Sequence, residues 1–249
     1  MMPFVRILAR RFAAGMAVLT LAACAMKEPL DYTWIVHNPE RSDADRALDQ
    51  RRQPENLLEF YGVRPGMRVL DLSAGRGYNT ELLARVVGSE GRVYAQNSPQ
   101  VLTGAGKTAF EERLKKPALS NVVSIISEFD DPIPADVRNL DLVTFNFNYH
   151  DTVHMGTDRG RMNRAVFQAL KPGGVYIVAD HSALPGSGTS ATKTLHRIEE
   201  SAVRSEVEAA GFRLVATGNF LRSAGDSRDV PVFKNPVAND EFVLKFVKP

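Results

Sequence analysis

The sequence predicts an α/β protein, a doubly wound and mostly parallel sheet whose last strand is antiparallel. Three observations predict it. Short apolar runs alternate with amphipathic helical segments through most of the chain. The stretch Arg68–Val87 reads as a buried strand, a tight glycine turn and a helix. The final apolar run, Glu241 to Val247, follows the one before it with no helix between them, so it can enter the sheet antiparallel. The chain has 249 residues, 44% hydrophobic and 24% charged, ordinary composition for one full-sized domain.

The first residues read as a targeting segment. Arg6, Arg10 and Arg11 make a positive start, and Phe12 to Ala23 is apolar but too short to span a bilayer. The run ends in Leu21-Ala22-Ala23-Cys24, which resembles the bacterial lipobox, where cleavage leaves a lipid-modified cysteine. Cys24 is the only cysteine and stands at the required place; a lone buried thiol is the alternative. The expectation is a signal peptide over 1–23, lipidation at Cys24, and a periplasmic protein held to the membrane by that lipid alone. An unprocessed N-terminus would instead leave a cytoplasmic protein. Without the first 23 residues the balance is 28 Lys and Arg against 29 Asp and Glu. That near-neutrality gives no electrostatic case for nucleic acid.

Residues 24–61 form an extension with leading helices, ahead of a domain over 62–249. Ser42 to Tyr61 is densely charged with Leu48, Leu57, Leu58 and Phe60 among the charges. It predicts one or two helices broken near Pro54, with Ser42 and Asp43 as caps. Val63 to Met67 turns into the first strand. Val69, Leu70 and Leu72 supply its apolar run, Asp71 lies near its carboxyl end, and Gly75 and Gly77 form the turn. Thr80 is read as capping the next helix, whose buried face carries Leu82, Leu83, Val86 and Val87. Such a unit offers unpaired backbone N–H groups to a polar ligand where the sheet opens.

Strands follow at Arg92–Gln96, Asn121–Ile126, Leu140–Phe147, Val175–Ala179, Phe212–Thr217 and Glu241–Val247, seven in all. Helices are expected at about Pro99–Leu114, Arg159–Leu170 and Thr194–Ala210. Lys171-Pro172-Gly173-Gly174 stops the second of these and Gly211 the third.

Val69-Leu70-Asp71-Leu72-Ser73-Ala74-Gly75-Arg76-Gly77, then Leu140-Asp141-Leu142-Val143, Leu170-Lys171-Pro172-Gly173-Gly174 and Ala210-Gly211-Phe212 occur in an order and at intervals that resemble the class I S-adenosylmethionine-dependent methyltransferases. The resemblance covers roughly Glu55 to the C-terminus, and with the lipobox-like start it suggests an extracytoplasmic branch. It implies a seven-stranded Rossmann-like methyltransferase fold with the last strand antiparallel, and S-adenosylmethionine as cofactor. Carried over by position, Asp71 would face the methionine amino group, and Ser73, Gly75 and Gly77 would let the backbone approach. Asn97 stands where the family has an acid for the ribose hydroxyls. Glu128 would reach the adenine amino group, Phe129 would pack on the ring, and Asn146 and Asn148 would line the cofactor side of the fourth strand. Ser73 replaces the usual first glycine. At Asn97 an amide replaces the acid, which loses a charge-assisted bond of about 1 kcal/mol or somewhat more.

Methyl transfer is an in-line displacement in which the enzyme aligns the nucleophile and removes its proton where needed. A base is expected beyond strands four and five, where His150, Asp151, His154, Asp180 and His181 gather. His150 is read as the general base with Asp151 or Asp180 orienting it, or else as a loop residue holding the site's shape. A metal site of His150, His154, Asp180 and His181 is a second possibility, but no motif fixes its ligands, and the reading adopted has no metal. Tyr78 and Tyr149 are candidates for pocket walls or simple packing. With no cysteine besides Cys24, a cysteine nucleophile is excluded. The function expected is methyl transfer to an unidentified small molecule. The alternative is a non-catalytic lipoprotein that binds S-adenosylmethionine or a nucleoside in the same cleft.

Overall fold

The computed structural model describes Met1 and residues 30–249. The signal peptide and Cys24 expectations lie outside these residues. The elements run α1 (Thr33–Val36), α2 (Asp43–Arg52), α3 (Pro54–Tyr61), β1 (Arg68–Leu72), α4 (Tyr78–Val87), β2 (Arg92–Asn97), α5 (Gly104–Leu114), β3 (Val122–Ile126) and β4 (Leu140–Asn146). They continue with α6 (Tyr149–His154), α7 (Arg159–Ala169), β5 (Leu170–His181), α8 (Thr192–Leu195), α9 (Glu200–Ala209), β6 (Arg213–Gly218) and β7 (Glu241–Val247). The seven strands form one sheet in the order β3-β2-β1-β4-β5-β7-β6. Strands β1 to β5 pair in parallel, and β7 is antiparallel to both β5 and β6. The fold class expected from the sequence is the one found. Among the described residues, no helix is long and apolar enough to cross a membrane.

The central strands are apolar on both faces because helices cover both. Leu70, Leu72, Val143 and Phe145 point into one core, with Met162 and Val166 of α7 and Val203 and Val207 of α9. Val69, Leu142 and Ile177 point into the other, with Leu82, Leu83, Val86 and Val87 of α4. Ile35 and Val36 of α1 and Leu57, Leu58 and Tyr61 of α3 complete that second core, so the leading segment is built into the domain's main packing. Fully burying each of these side chains is worth roughly 1.5–3 kcal/mol.

Local chemistry sets the element ends. Ser42 caps α2, its Oγ accepting from the Asp45 N–H. Gln53 then adopts a left-handed φ of 45°, and Pro54 opens α3, so the break falls where proline requires it. Thr80 is a correction: the residue preceding α4 is Gly77, and Thr80 sits one turn inside the helix with its hydroxyl directed to Asp71. Two short helices, α1 and α6, were not anticipated. The helix expected over Thr194–Ala210 is split, because His196 takes a left-handed φ of 54° and Ile198 makes a parallel bridge to Ser182. The residue between them, Arg197, is fully buried and ion-paired with Asp226.

Asp226 lies in the long connection over 219–240. Besides Arg197, it accepts bonds from the Arg228 and Asp240 backbone N–H groups and from the Asn235 side chain. That connection is thereby fastened to the segment between α8 and α9.

Candidate functional site

A cavity of about 420 Å³ opens at the carboxyl ends of β1 and β4. Its floor is Asp71 and the loop Ser73-Ala74-Gly75-Arg76, one wall is Asn146-Phe147-Asn148, and Asp45, Leu48 and Arg52 of α2 lie over it. The loop can turn this tightly because Ser73, Gly75 and Gly77 all have positive φ, at 58°, 57° and 82°. A Cβ at Gly75 would meet nothing within 4 Å, so the backbone there is open to a ligand. A Cβ on Gly77 would come within 2.8 Å of Arg113 Cδ and 3.1 Å of the Phe110 ring, so that glycine is required by helix packing.

Asp71 is almost fully buried and is held by three side-chain donors. Asn79 and the Thr144 hydroxyl donate to Oδ1 at 2.8 and 3.0 Å, and the Thr80 hydroxyl donates to Oδ2 at 2.6 Å. Burial pushes its pKa up, against the lowering by those three bonds. Arg52 is the complementary case. Its guanidinium stacks over the Tyr78 and Phe147 rings at 4.7 and 5.5 Å, its buried Nε has no hydrogen-bond partner, and burial pulls its pKa down. The cavity therefore presents a buried acid that lacks a full counter-charge and a half-buried base that no carboxylate among the described residues bonds.

The overlying helix is fixed by ion pairs. Arg113 of α5 bridges Asp45 of α2 and Glu81 of α4, with N–O distances of 2.6 Å to each, and Glu81 also receives Arg85 and Lys116. Arg41 pairs with Asp49, which accepts the Tyr78 hydroxyl at 2.6 Å. Tyr78 is thus a cavity wall, whereas Tyr149 is a core residue bonded to Glu206 and Asn163.

Several expected cofactor contacts are placed differently. Asn97 is fully buried and is a correction to the ribose-facing position. Its Oδ1 accepts the Gly75 N–H at 2.7 Å, so the amide braces the glycine loop from behind. Gln96 does the same for Ser73, accepting its N–H at 3.1 Å. Phe129 is a second correction, since its ring is buried and stacks on Phe145 with centroids 5.8 Å apart. Glu128 is exposed and borders a separate depression of about 310 Å³ with Phe129, Met155 and Gly156. Asn146 and Asn148 do line the main cavity; Asn146 accepts from Tyr61 at 3.2 Å and Asn148 accepts from the Ser73 hydroxyl at 2.8 Å.

Beyond Asn148 the histidines gather. His150 Nδ1 is 2.7 Å from Asp180 Oδ1, and Asp180, fully buried at the end of β5, also accepts the backbone N–H groups of His150 and His181. His150 Nε2 is 3.2 Å from Asp151 Oδ1 and 3.4 Å from His196 Nδ1. Burial alone would lower the His150 pKa, but the Asp180 and Asp151 carboxylates outweigh it and hold it at about 10. A ring protonated at neutral pH is not the free base expected at this position; Nδ1 is committed to Asp180, and Nε2 faces Asp151. His181 is turned away and faces Glu241 at 3.0 Å.

Arg52, Asn79, Thr144 and His196 were not identified from the sequence. Arg52 reads there as one more charge on a solvated helix face, and His196 as a position inside a continuous helix. The spacing of Asn79 and Thr80 after Asp71 is the one signal that was present, since a helix start places both side chains back over the strand end.

A family model described as a methyltransferase domain matches residues 64–218. The ubiquinone/menaquinone biosynthesis C-methyltransferase of Shewanella sp. (strain W3-18-1) is 30% identical over 127 residues, 51% of this chain and 47% of that protein. The chain spans about half the length of the curated relatives it matches. Among solved structures, a SAM-dependent methyltransferase from Aquifex aeolicus matches with a TM-score of 0.59 at 20% identity, covering 83% of this chain and 97% of that one. A putative sarcosine dimethylglycine methyltransferase from Galdieria sulphuraria gives 0.58 at 16% identity, covering 82% and 87%. At such identities the likeness is one of fold.

Proposed function

Since this chain belongs to the methyltransferase-domain family, we propose that it transfers the methyl group of S-adenosylmethionine to a small-molecule acceptor. The observation that carries this reading is the pairing on one cavity wall of a buried acid, Asp71, and a half-buried base, Arg52, neither of them in an ion pair among the described residues. The amino-acid end of S-adenosylmethionine carries an ammonium and a carboxylate, and it would satisfy both. The ammonium would take the acceptor capacity that Asp71 has left after three bonds. The carboxylate would give the Arg52 guanidinium, whose Nε has no partner, an anion. Each contact draws strength from its dry surroundings, where an unpaired charge is most costly.

When bound, the cofactor supplies a methyl group on a cationic sulfur, already activated for displacement. The chain's share is alignment and exclusion of water. Asn97 and Gln96 hold the loop backbone in one shape from behind, and α2, pinned through Arg113, covers the cavity. The acceptor's approach lies on the Asn148 side, where β4 and β5 end.

Calorimetric titration of the full chain with S-adenosylmethionine and S-adenosylhomocysteine tests the reading. Saturable binding of both is expected, and no heat at millimolar ligand would overturn it. Arg52→Gln should weaken binding about tenfold to a hundredfold, or about 1.4–2.7 kcal/mol. Its unfolding midpoint should change little, because the half-buried guanidinium bonds no carboxylate among the described residues and its buried Nε has no partner.

A further inference from the structure

The geometry points to a divalent transition-metal site of the zinc type, made by His150 Nε2, Asp151 Oδ1 and His196 Nδ1 at the open end of β4 and β5. The three donor atoms form a nearly equilateral triangle. His150 to Asp151 is 3.2 Å, His196 to Asp151 is 3.2 Å, and His150 to His196 is 3.4 Å. Metal bonds of about 2.0–2.2 Å set neighbouring ligand atoms roughly 2.8–3.1 Å apart in an octahedron and 3.3–3.6 Å apart in a tetrahedron. The 3.4 Å edge falls in the tetrahedral range and the two 3.2 Å edges fall between the two ranges, so no side chain needs to move far. His154 Nε2 is 3.6 Å from the same Asp151 oxygen but lies outside the three-residue cluster.

Two further observations separate this triangle from an ordinary surface cluster. Asp151 Oδ1 is a buried oxygen that accepts no hydrogen bond of proper geometry, although three imidazole nitrogens face it. Its other oxygen is already taken by the Asn148 side chain at 2.6 Å, so Oδ1 is the atom left to bind something. The second observation is the support around His150. Its Nδ1 is held at 2.7 Å by Asp180, which turns Nε2 toward the triangle. A carboxylate behind a ligating histidine is the arrangement by which metal sites orient the ring and raise its donor strength.

Two imidazoles and one carboxylate suit zinc, cobalt or iron in the divalent state better than magnesium or calcium, which favour all-oxygen ligands. One side stays open, since the Asp151, His154 and His196 side chains keep 22%, 30% and 34% of their surface. The cation can enter there and keep free positions. On binding, Nε2 of His150 releases its proton to solvent and gives its lone pair to the metal. Asn148 lies on the wall of the cofactor cavity and touches Asp151, so the metal stands one side chain away from that cavity. Resting on the proposed methyl transfer, its free positions would take an oxygen of the acceptor; cation binding itself does not depend on that reading.

The test uses the full chain without a histidine tag, stripped with chelator and titrated with Zn²⁺ by calorimetry and with Co²⁺ by visible absorption. Equimolar Zn²⁺ binding at micromolar or tighter affinity is expected, with Co²⁺ bands of a four- or five-coordinate nitrogen–oxygen site. Asp151→Asn and His196→Gln should each lower affinity by a hundredfold or more, and Asp180→Asn by about tenfold to a hundredfold. His37→Gln, at an exposed histidine elsewhere, should leave it unchanged. Absent binding, or binding that survives both Asp151→Asn and His196→Gln, would overturn the site. S-adenosylmethionine titrations of the same variants report separately on the donor cavity, so loss of one function is not mistaken for loss of the other.

Discussion

The two halves of the sheet's open edge are constructed by opposite means. At the β1 end, two of the three donors to Asp71 are Asn79 and Thr80, eight and nine residues later, with Thr144 of β4 the third, and the loop between them is shaped by its positive φ angles and braced by Gln96 and Asn97. At the β4–β5 end, His150 is held by Asp180 and faces His196, thirty and forty-six residues away, and most contacts are between side chains, two backbone N–H groups at Asp180 apart. The first half is mostly a local device, specified by one short stretch of sequence with Thr144 and two amides of β2 in support. The second exists only once β4, β5 and the segment after α8 have come together. A local device is expected to tolerate change elsewhere in the chain, whereas a convergent one fails with any of its members.

The largest effect should come from breaking the convergent half. Asp180→Ala leaves the His150 ring Nδ1 and two backbone N–H groups buried without their acceptor, and should lower unfolding stability by about 3–5 kcal/mol; urea denaturation measures it. If the loss is under 1 kcal/mol, the histidine end is not held as described. In the local half, Asp71→Ala strands three donors and should cost about 1–3 kcal/mol of stability, while S-adenosylmethionine affinity falls about a hundredfold by calorimetry. Gly77→Ala should cost about 1–2 kcal/mol, from a φ of 82° and the crowding against Arg113 and Phe110; thermal unfolding reads it out.

The smallest effect is one of pH. Burial raises the Asp45 and Glu81 pKa values, but Arg113, Lys116 and Arg85 outweigh it and hold both below their ordinary 3.8 and 4.5. Folded values below unfolded ones mean that their stabilising share is fully present above about pH 4.5 and disappears as pH falls through the folded values. Unfolding midpoints measured from pH 6 down to pH 3 should therefore drop at the acid end, and Arg113→Gln should flatten that drop.

The same contrast explains how far the sequence could be read. The seven strands, the antiparallel β7 and the glycine loop follow from apolar periodicity and from Gly75 and Gly77, all of them local signals. Asp71 was found because a strand-end acid before a glycine turn is a local pattern. Asn97 was assigned to the cavity by position along β2, but the direction of a side chain at a strand end depends on what the loop opposite needs, here the Gly75 N–H. Phe129 was assigned to a ligand ring, and Phe145 took its face instead. The sequence brings His150, Asp151 and Asp180 to one edge, where they lie together, whereas His196 falls inside a continuous helical pattern. Nothing local announces that the helix must break so that Ile198 can bridge to Ser182 and Arg197 can reach Asp226.

The Asp226 junction has a consequence for how this protein meets proteases. A connection as long as 219–240, with little regular structure, is the kind of segment in which a chain is ordinarily nicked first. Cleavage requires the segment to be drawn out straight into the protease cleft, and here that means releasing Arg197 from a fully buried pair together with the two backbone bonds to Asp226. The junction converts a loop that could open by itself into one that opens with α8, α9 and the β7 edge. Limited digestion should accordingly spare this connection in the intact protein and cut it readily in Asp226→Ala.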